Sequence, residues 1–230
     1  ADARSYSLDL ATDACRMGVD EVQFDYVRFP DGFGSRVQFD GPSDAGGRAD
    51  AITSFLTEAR AALSTGGCAT AAAIFGFITS TPGEGGIGQQ LEQLAGVVDV
   101  LSPMVYPSHY STGWYGFADP NAHPYDVVSG ALLDGERRLT GSPVVVRPWI
   151  QSFYYNGSQI QAESNAADDR GAGWMLWNSA SNYATGSIVD ESSLEVAQHS
   201  SSATFRLFPL SGFYRTPRPL PFAPTRVWME

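Results

Sequence analysis

Five short, almost continuously apolar runs recur along the 230-residue chain: Val22–Val27, Ala71–Phe77, Val98–Tyr106, Val144–Ile150 and Gly173–Trp177. No other feature limits the fold so strongly. A strand that is apolar at nearly every position is buried on both faces, as in a parallel sheet covered by helices. Between the runs the spacing turns helical. Ile52, Phe55, Leu56, Ala59 and Leu63 share one helical face, and Gly66-Gly67 follows as a stop signal. Pro124 suits the first turn of a helix carrying Val128, Ala131, Leu132 and Leu139. Gln159 to Asp169 forms a weaker helical pattern before the last run. An amphipathic stretch from Ser7 to Met17, with Leu8, Ala11 and Cys15, precedes the first. The repeat is a β-α unit of roughly 35–50 residues, not a solenoid.

A closed (β/α)8 barrel needs eight strands in about 250 residues. Here five can be read, and the chain opens on a helix. The expectation is an α/β fold of the TIM-type (β/α)8 barrel class, incomplete, with the first three β-α units absent. An open five-stranded α/β sheet is the alternative. Residues 1–199 are read as this one domain. Residues 200–230 are rich in Ser, Pro and Arg, with Glu230 the only acid, and are read as a linker or disordered tail.

A net charge of −11 argues against a phosphate-backbone binder and fits a neutral or cationic ligand. No apolar run is long enough to span a bilayer and no signal peptide is visible at Ala1. The chain starts without Met, so a removed leader and missing upstream sequence both fit. Cys15 and Cys68 lack metal-like spacing, which leaves free buried thiols and a disulfide both open. His109, His123 and His199 offer little material for a metal site, and no cofactor is expected.

Polar residues at the C-terminal ends of barrel strands are where chemistry is usually found. Those loop-proximal positions hold Asp25 and Arg28; Thr79 with the glycine-rich loop around Glu84; Tyr106, Ser108, His109 and Tyr110; Trp149 and Gln151; Trp177 and Asn178. Sugars present hydroxyls to planar polar groups and C–H faces to aromatic rings, so the set resembles a carbohydrate site. Trp174 and Trp177 fall on opposite faces of their strand, and Trp177, nearer the strand end, is the one expected to line the site. His109 reads as a hydrogen-bonding loop residue rather than a general base. Gly83-Glu84-Gly85-Gly86 lacks the Lys-Ser/Thr of a phosphate loop.

Four segments, in order, carry a family resemblance: Gln23-Phe24-Asp25-Tyr26-Val27-Arg28-Phe29-Pro30, Ser102-Pro103-Met104-Val105-Tyr106-Pro107-Ser108-His109-Tyr110, Arg147-Pro148-Trp149-Ile150-Gln151 and Gly173-Trp174-Met175-Leu176-Trp177-Asn178. Together they resemble the bacterial "putative glycoside hydrolase" domains catalogued as a domain of unknown function, from about Ser5 to Tyr183. The resemblance implies a (β/α)8 barrel related to other barrel glycosidases, without its first three strands. It also exposes two departures. Relatives often carry an acid near Ala73, and an acidic or small residue where Ser152 stands. A looser echo of chitinase-like barrels in Asp20 to Pro30 does not extend to their proton-donor glutamate, whose place is held by Val27 and Arg28.

The residues and the resemblance together point to a glycoside hydrolase acting on an oligo- or polysaccharide, secreted or attached to the cell envelope. Such hydrolysis usually takes two carboxyl groups. Asp25 is expected as nucleophile or base, kept ionised by Arg28. Glu84 is the candidate acid, unless a residue of the absent strands supplies it. Arg28, Tyr106, His109, Trp149, Gln151, Trp177 and Asn178 are expected to hold the sugar. A non-catalytic carbohydrate-binding barrel is the second reading, and a fragment inactive alone is the third. Nucleic acid is not an expected partner, no membrane span is expected, and the oligomeric state is open.

Overall fold

The computed structural model describes residues 2–32, 39, 41 and 44–183. The tail expected at 200–230 and the last part of the 1–199 domain lie outside the described residues. The chain alternates helix and strand: α1 (Asp2–Arg16), β1 (Glu21–Phe24), α2 (Ala45–Gly66), β2 (Ala69–Phe75), α3 (Leu91–Val97), β3 (Val100–Val105), α4 (Pro124–Arg138), β4 (Val145–Val146), β5 (Trp149–Gln151), α5 (Gly157–Asp169) and β6 (Met175–Trp177). All strand pairings are parallel, and the sheet runs β1-β2-β3-β5-β6, with β4 also on β3. Sequential order distinguishes the two expected architectures. A doubly wound open sheet reverses its strand order at a switch point, whereas a barrel wall keeps chain order. The sheet is an arc of an incomplete TIM-type barrel, curled into a half-barrel with helices.

The run read as one strand at Val144–Ile150 is two short strands, and proline is the reason. Leu101 pairs with Val146 and Met104 with Trp149, so Pro103 and Pro148 stand at the same level. Neither has an N–H to give, and the ladder lapses there. The flanking bonds survive: the Arg147 amide donates to the Leu101 carbonyl at 2.9 Å and Met175 to Pro148 at 2.9 Å.

The helices start and stop where local chemistry allows. The Asp44 carboxylate accepts from the Gly47 amide at 2.8 Å to cap α2, and Gly67 ends it with a φ of 83°. Pro124 opens α4 as expected. α5 begins two residues earlier than its apolar pattern, because Asn156 and Gln159 form a capping box. α3, of seven residues, has no counterpart in the sequence reading.

Behind the sheet, Leu56, Ile74, Leu94 and Leu101 form one apolar cluster, and Val105, Val128, Ile150 and Ile160 form another. Cys15 and Cys68 resolve their open alternatives as a disulfide, with Cα atoms 6.0 Å apart, fastening α1 beside the start of β2. On the concave face Glu21, on the side of Gln23, and Arg147, on the side of Trp149, form an ion pair. It reaches from β1 to the β4–β5 segment across two intervening strands, with side chains 12 % and 7 % exposed.

Candidate active site

At the C-terminal ends of the strands lies a cavity of about 540 Å3, walled by Gln23 and Asp25 after β1, Ala73 and Phe75 of β2, Met104 and Tyr106 around β3, Trp149 and Trp177. That volume is in the range of small-ligand sites, ~300–1,000 Å3.

Each wall residue owes its position to a strand end. β1 stops at Phe24. The Asp25 Oδ1 then accepts the Tyr26 amide at 2.7 Å, Tyr26 takes a φ of 52°, and the Arg28 amide donates to the Tyr26 carbonyl at 2.8 Å. This turn leaves Asp25 and Tyr26 at the mouth, sends Val27 into the core and returns Arg28 to the cavity. The Arg28 guanidinium lies over the rings of Phe75 (4.7 Å) and Tyr26 (5.4 Å), a cation–π arrangement. Its carboxylate contact is Asp31, at 3.8 Å, and not Asp25 as the sequence suggested. Three residues past a tight turn, the cation has turned onto the aromatic rings instead.

Tyr106 directly follows β3, buried, with its ring edge-on to His109 and Phe153 at 5.3 Å each. Burial, reinforced by the nearby Asp25 and Glu163 carboxyl groups, pushes its phenol pKa far above the ordinary value, so it stays a neutral donor. Burial pushes the His109 imidazole down, which favours its neutral form. Trp149 and Trp177 meet edge to face at 6.1 Å, while Trp174 packs into the core behind the sheet.

Three expected site residues are not brought to the cavity. Glu84 is buried in an ion pair with Arg48 at 2.6 Å, and it accepts the amides of Gly86 at 3.0 Å and of Gly88. Burial opposes its charged form, but Arg48 and the Gly88 amide outweigh that and hold its carboxyl below the ordinary range. Held so, it braces its own glycine-rich loop away from the cavity. Gln151 is fully buried: its Oε1 accepts the Ser108 amide (3.1 Å) and hydroxyl (2.8 Å), and its Nε2 donates to the Phe153 carbonyl at 3.1 Å. It staples the loops after β3 and β5 together. Asn178 donates to the carbonyls of Ser152 (3.1 Å) and Asn182 (2.8 Å) and organises the turn after β6.

Beneath that staple sits a group the sequence did not flag. Glu163 of α5 is fully buried, and its Oε1 accepts the Gln151 amide at 3.2 Å. Burial outweighs this bond and pushes its carboxyl pKa up to about 9. The cavity also takes in Tyr110, one of the loop-proximal set, together with Asp31 and Trp114, which carried no expected role. Of the last two only Asp31 had a signal, as a carboxylate in the Pro30-Asp31-Gly32 turn after the first strand. No group of three or more His, Cys, Asp or Glu side chains among the described residues could hold a metal ion, and no helix among them is long and apolar enough to cross a membrane.

The described chain thus places an aromatic cleft with two aspartates at the C-terminal rim of a parallel barrel arc. The chain belongs to the DUF4015 family, described as "Putative glycosyl hydrolase domain", whose model matches residues 1–183. Among solved structures it is similar to the PgaB (BpsB) glycoside hydrolase domain from Bordetella bronchiseptica, with 15% identity and a TM-score of 0.54. That match covers 77% of this chain and 57% of the solved one, so the chain aligns with little more than half of that domain. No curated protein matches the chain.

Proposed function

We propose that the cleft binds a carbohydrate and that Asp25 serves glycosidic-bond hydrolysis as nucleophile or base. The observation that carries this reading is a carboxylate at the C-terminal end of a barrel strand, opening into an aromatic cleft in a chain of a glycosyl hydrolase family. Trp149, Trp177 and Tyr106 supply ring faces and a neutral hydroxyl, and Arg28 supplies charge-bearing donors in the same cleft. His109, in its neutral form, contributes one donor and one acceptor.

The partner acid is Asp31 or a group contributed by the remainder of a longer barrel. A carboxyl separation of about 5–5.5 Å from Asp25 leads to retention and about 6.5–9.5 Å to inversion. The expected result is that Asp25→Asn abolishes reducing-end release from the polysaccharide the parent chain cuts, with an unchanged circular dichroism spectrum. Undiminished release would remove Asp25 from the mechanism.

A second reading, a carbohydrate-binding barrel without turnover, is favoured by the state of the acids. Ala73 lines the cleft where an acid would face Asp25, Glu84 is tied to Arg48, and Asp31 is partnered by Arg28. Binding of an oligosaccharide with no product after long incubation decides for it. The Cys15–Cys68 disulfide supports a secreted or envelope location, since such bonds persist in oxidising compartments.

A further inference from the structure

Among the described residues, the two most exposed aromatic side chains bury little surface. Tyr154 is 95% exposed and Tyr26 is 77% exposed. Both hold left-handed backbone, with φ of 60° and 52°, a conformation disfavoured for a large side chain. Exposed rings contribute little burial, and glycine or asparagine would adopt these turns with less strain.

Their positions give them a common purpose. Tyr26 lines the cleft mouth after β1, and Tyr154 follows β5 at the same C-terminal end of the sheet, with β2 and β3 between them. Each has a contact leading to the cleft wall. Tyr154 meets Phe153 at 5.5 Å, and Phe153 meets His109 at 5.7 Å and Tyr106 at 5.3 Å. Tyr26 is backed by the Arg28 guanidinium, which leaves the ring's outward side open.

We propose that Tyr26 at the cleft mouth and Tyr154 beyond it are stacking platforms, and that the ligand is an extended polysaccharide chain without negative charge that crosses the mouth from one to the other. This rests on the carbohydrate reading and narrows it: the ligand is a polymer longer than the cleft, not a free mono- or disaccharide. Sugar C–H faces stack on tyrosine without needing charge. A polyanion is disfavoured by a chain of net charge −11 with two aspartates in the cleft.

The test titrates the full chain with disaccharides and hexasaccharides of the cello-, β-1,3-gluco- and N-acetylchito- series, followed by tryptophan fluorescence. In at least one series the hexasaccharide binds about tenfold or more tightly than the disaccharide. Tyr26→Gly and Tyr154→Gly each weaken hexasaccharide binding by about three- to tenfold while melting no earlier than the parent. Tyr154→Trp, which keeps a ring, retains the parent's affinity. Glycine variants that bind the hexasaccharide as the parent does overturn the rim platforms and leave the carbohydrate reading intact. A parent chain that binds no member of any series overturns both.

Discussion

Replacing Glu163 by Gln changes stability by an amount that grows with pH, and the structure fixes the sign. The carboxyl is fully buried beneath Gln151, near the phenols of Tyr106 and Tyr155, and its pKa stands at about 9 against an ordinary 4.5. Between those values the folded chain keeps a proton that the unfolded chain releases. The unfolded state then binds one proton fewer, so stability falls by ~1.4 kcal/mol per pH unit across that window. Stability from this group is fully present below pH 4.5 and lost as pH rises towards 9. From pH 4.5 to 7 the loss is about 3 kcal/mol, and it holds as long as the folded pKa stays above about 8. Gln keeps the shape and an acceptor for the Gln151 amide but has no proton to lose. Urea unfolding of parent and Glu163→Gln at pH 5, 6, 7 and 8, at constant ionic strength, isolates this group because other titrations cancel in the difference. The expected difference favours Gln increasingly, by ~1.4 kcal/mol per unit. A difference that stays flat over this range would refute a buried neutral carboxyl.

Two further outcomes follow from groups outside the cleft. Reducing Cys15–Cys68, or replacing both by Ala, releases a loop with a sequence separation of 53 and lowers unfolding free energy by about 4 kcal/mol on the chain-entropy account; unchanged urea midpoints would contradict a bond that fastens α1. Arg48→Met strands the buried Glu84 carboxylate and is expected to cost ~3–5 kcal/mol in urea unfolding. A cost below about 1 kcal/mol would mean that Glu84 does not depend on this pair.

Much of the arc was legible in sequence because its strands are buried on both faces and therefore continuously apolar. The split at Pro148 was readable in principle, but its effect depends on Pro103 standing opposite, a register that no single run reveals. α3 escaped because seven residues give too few turns for a period to show. Alternation along β6 separated Trp174 from Trp177. The same rule failed for Gln151, which shares a strand face with Trp149. There β5 ends, the loop holding Ser108 folds over it, and the amide serves that loop instead of the cavity. Loop carboxylates were hardest of all. Glu84 and Asp31 both lie in glycine-containing turns, and only the position of Arg48, 36 residues before Glu84, takes one of them out of the cleft.

The Glu21–Arg147 pair gives the arc its own mechanics. It joins strands that are not neighbours, on the inside of the bend, as a string joins the ends of a bow. Flattening the sheet would draw the two charges apart inside a poorly hydrated space, where a lone ion is costly. The bend is therefore a property of residues 21 to 147 themselves. The distance across the mouth, and with it the spacing of the aromatic rings on either side, is held by a tension member in the floor.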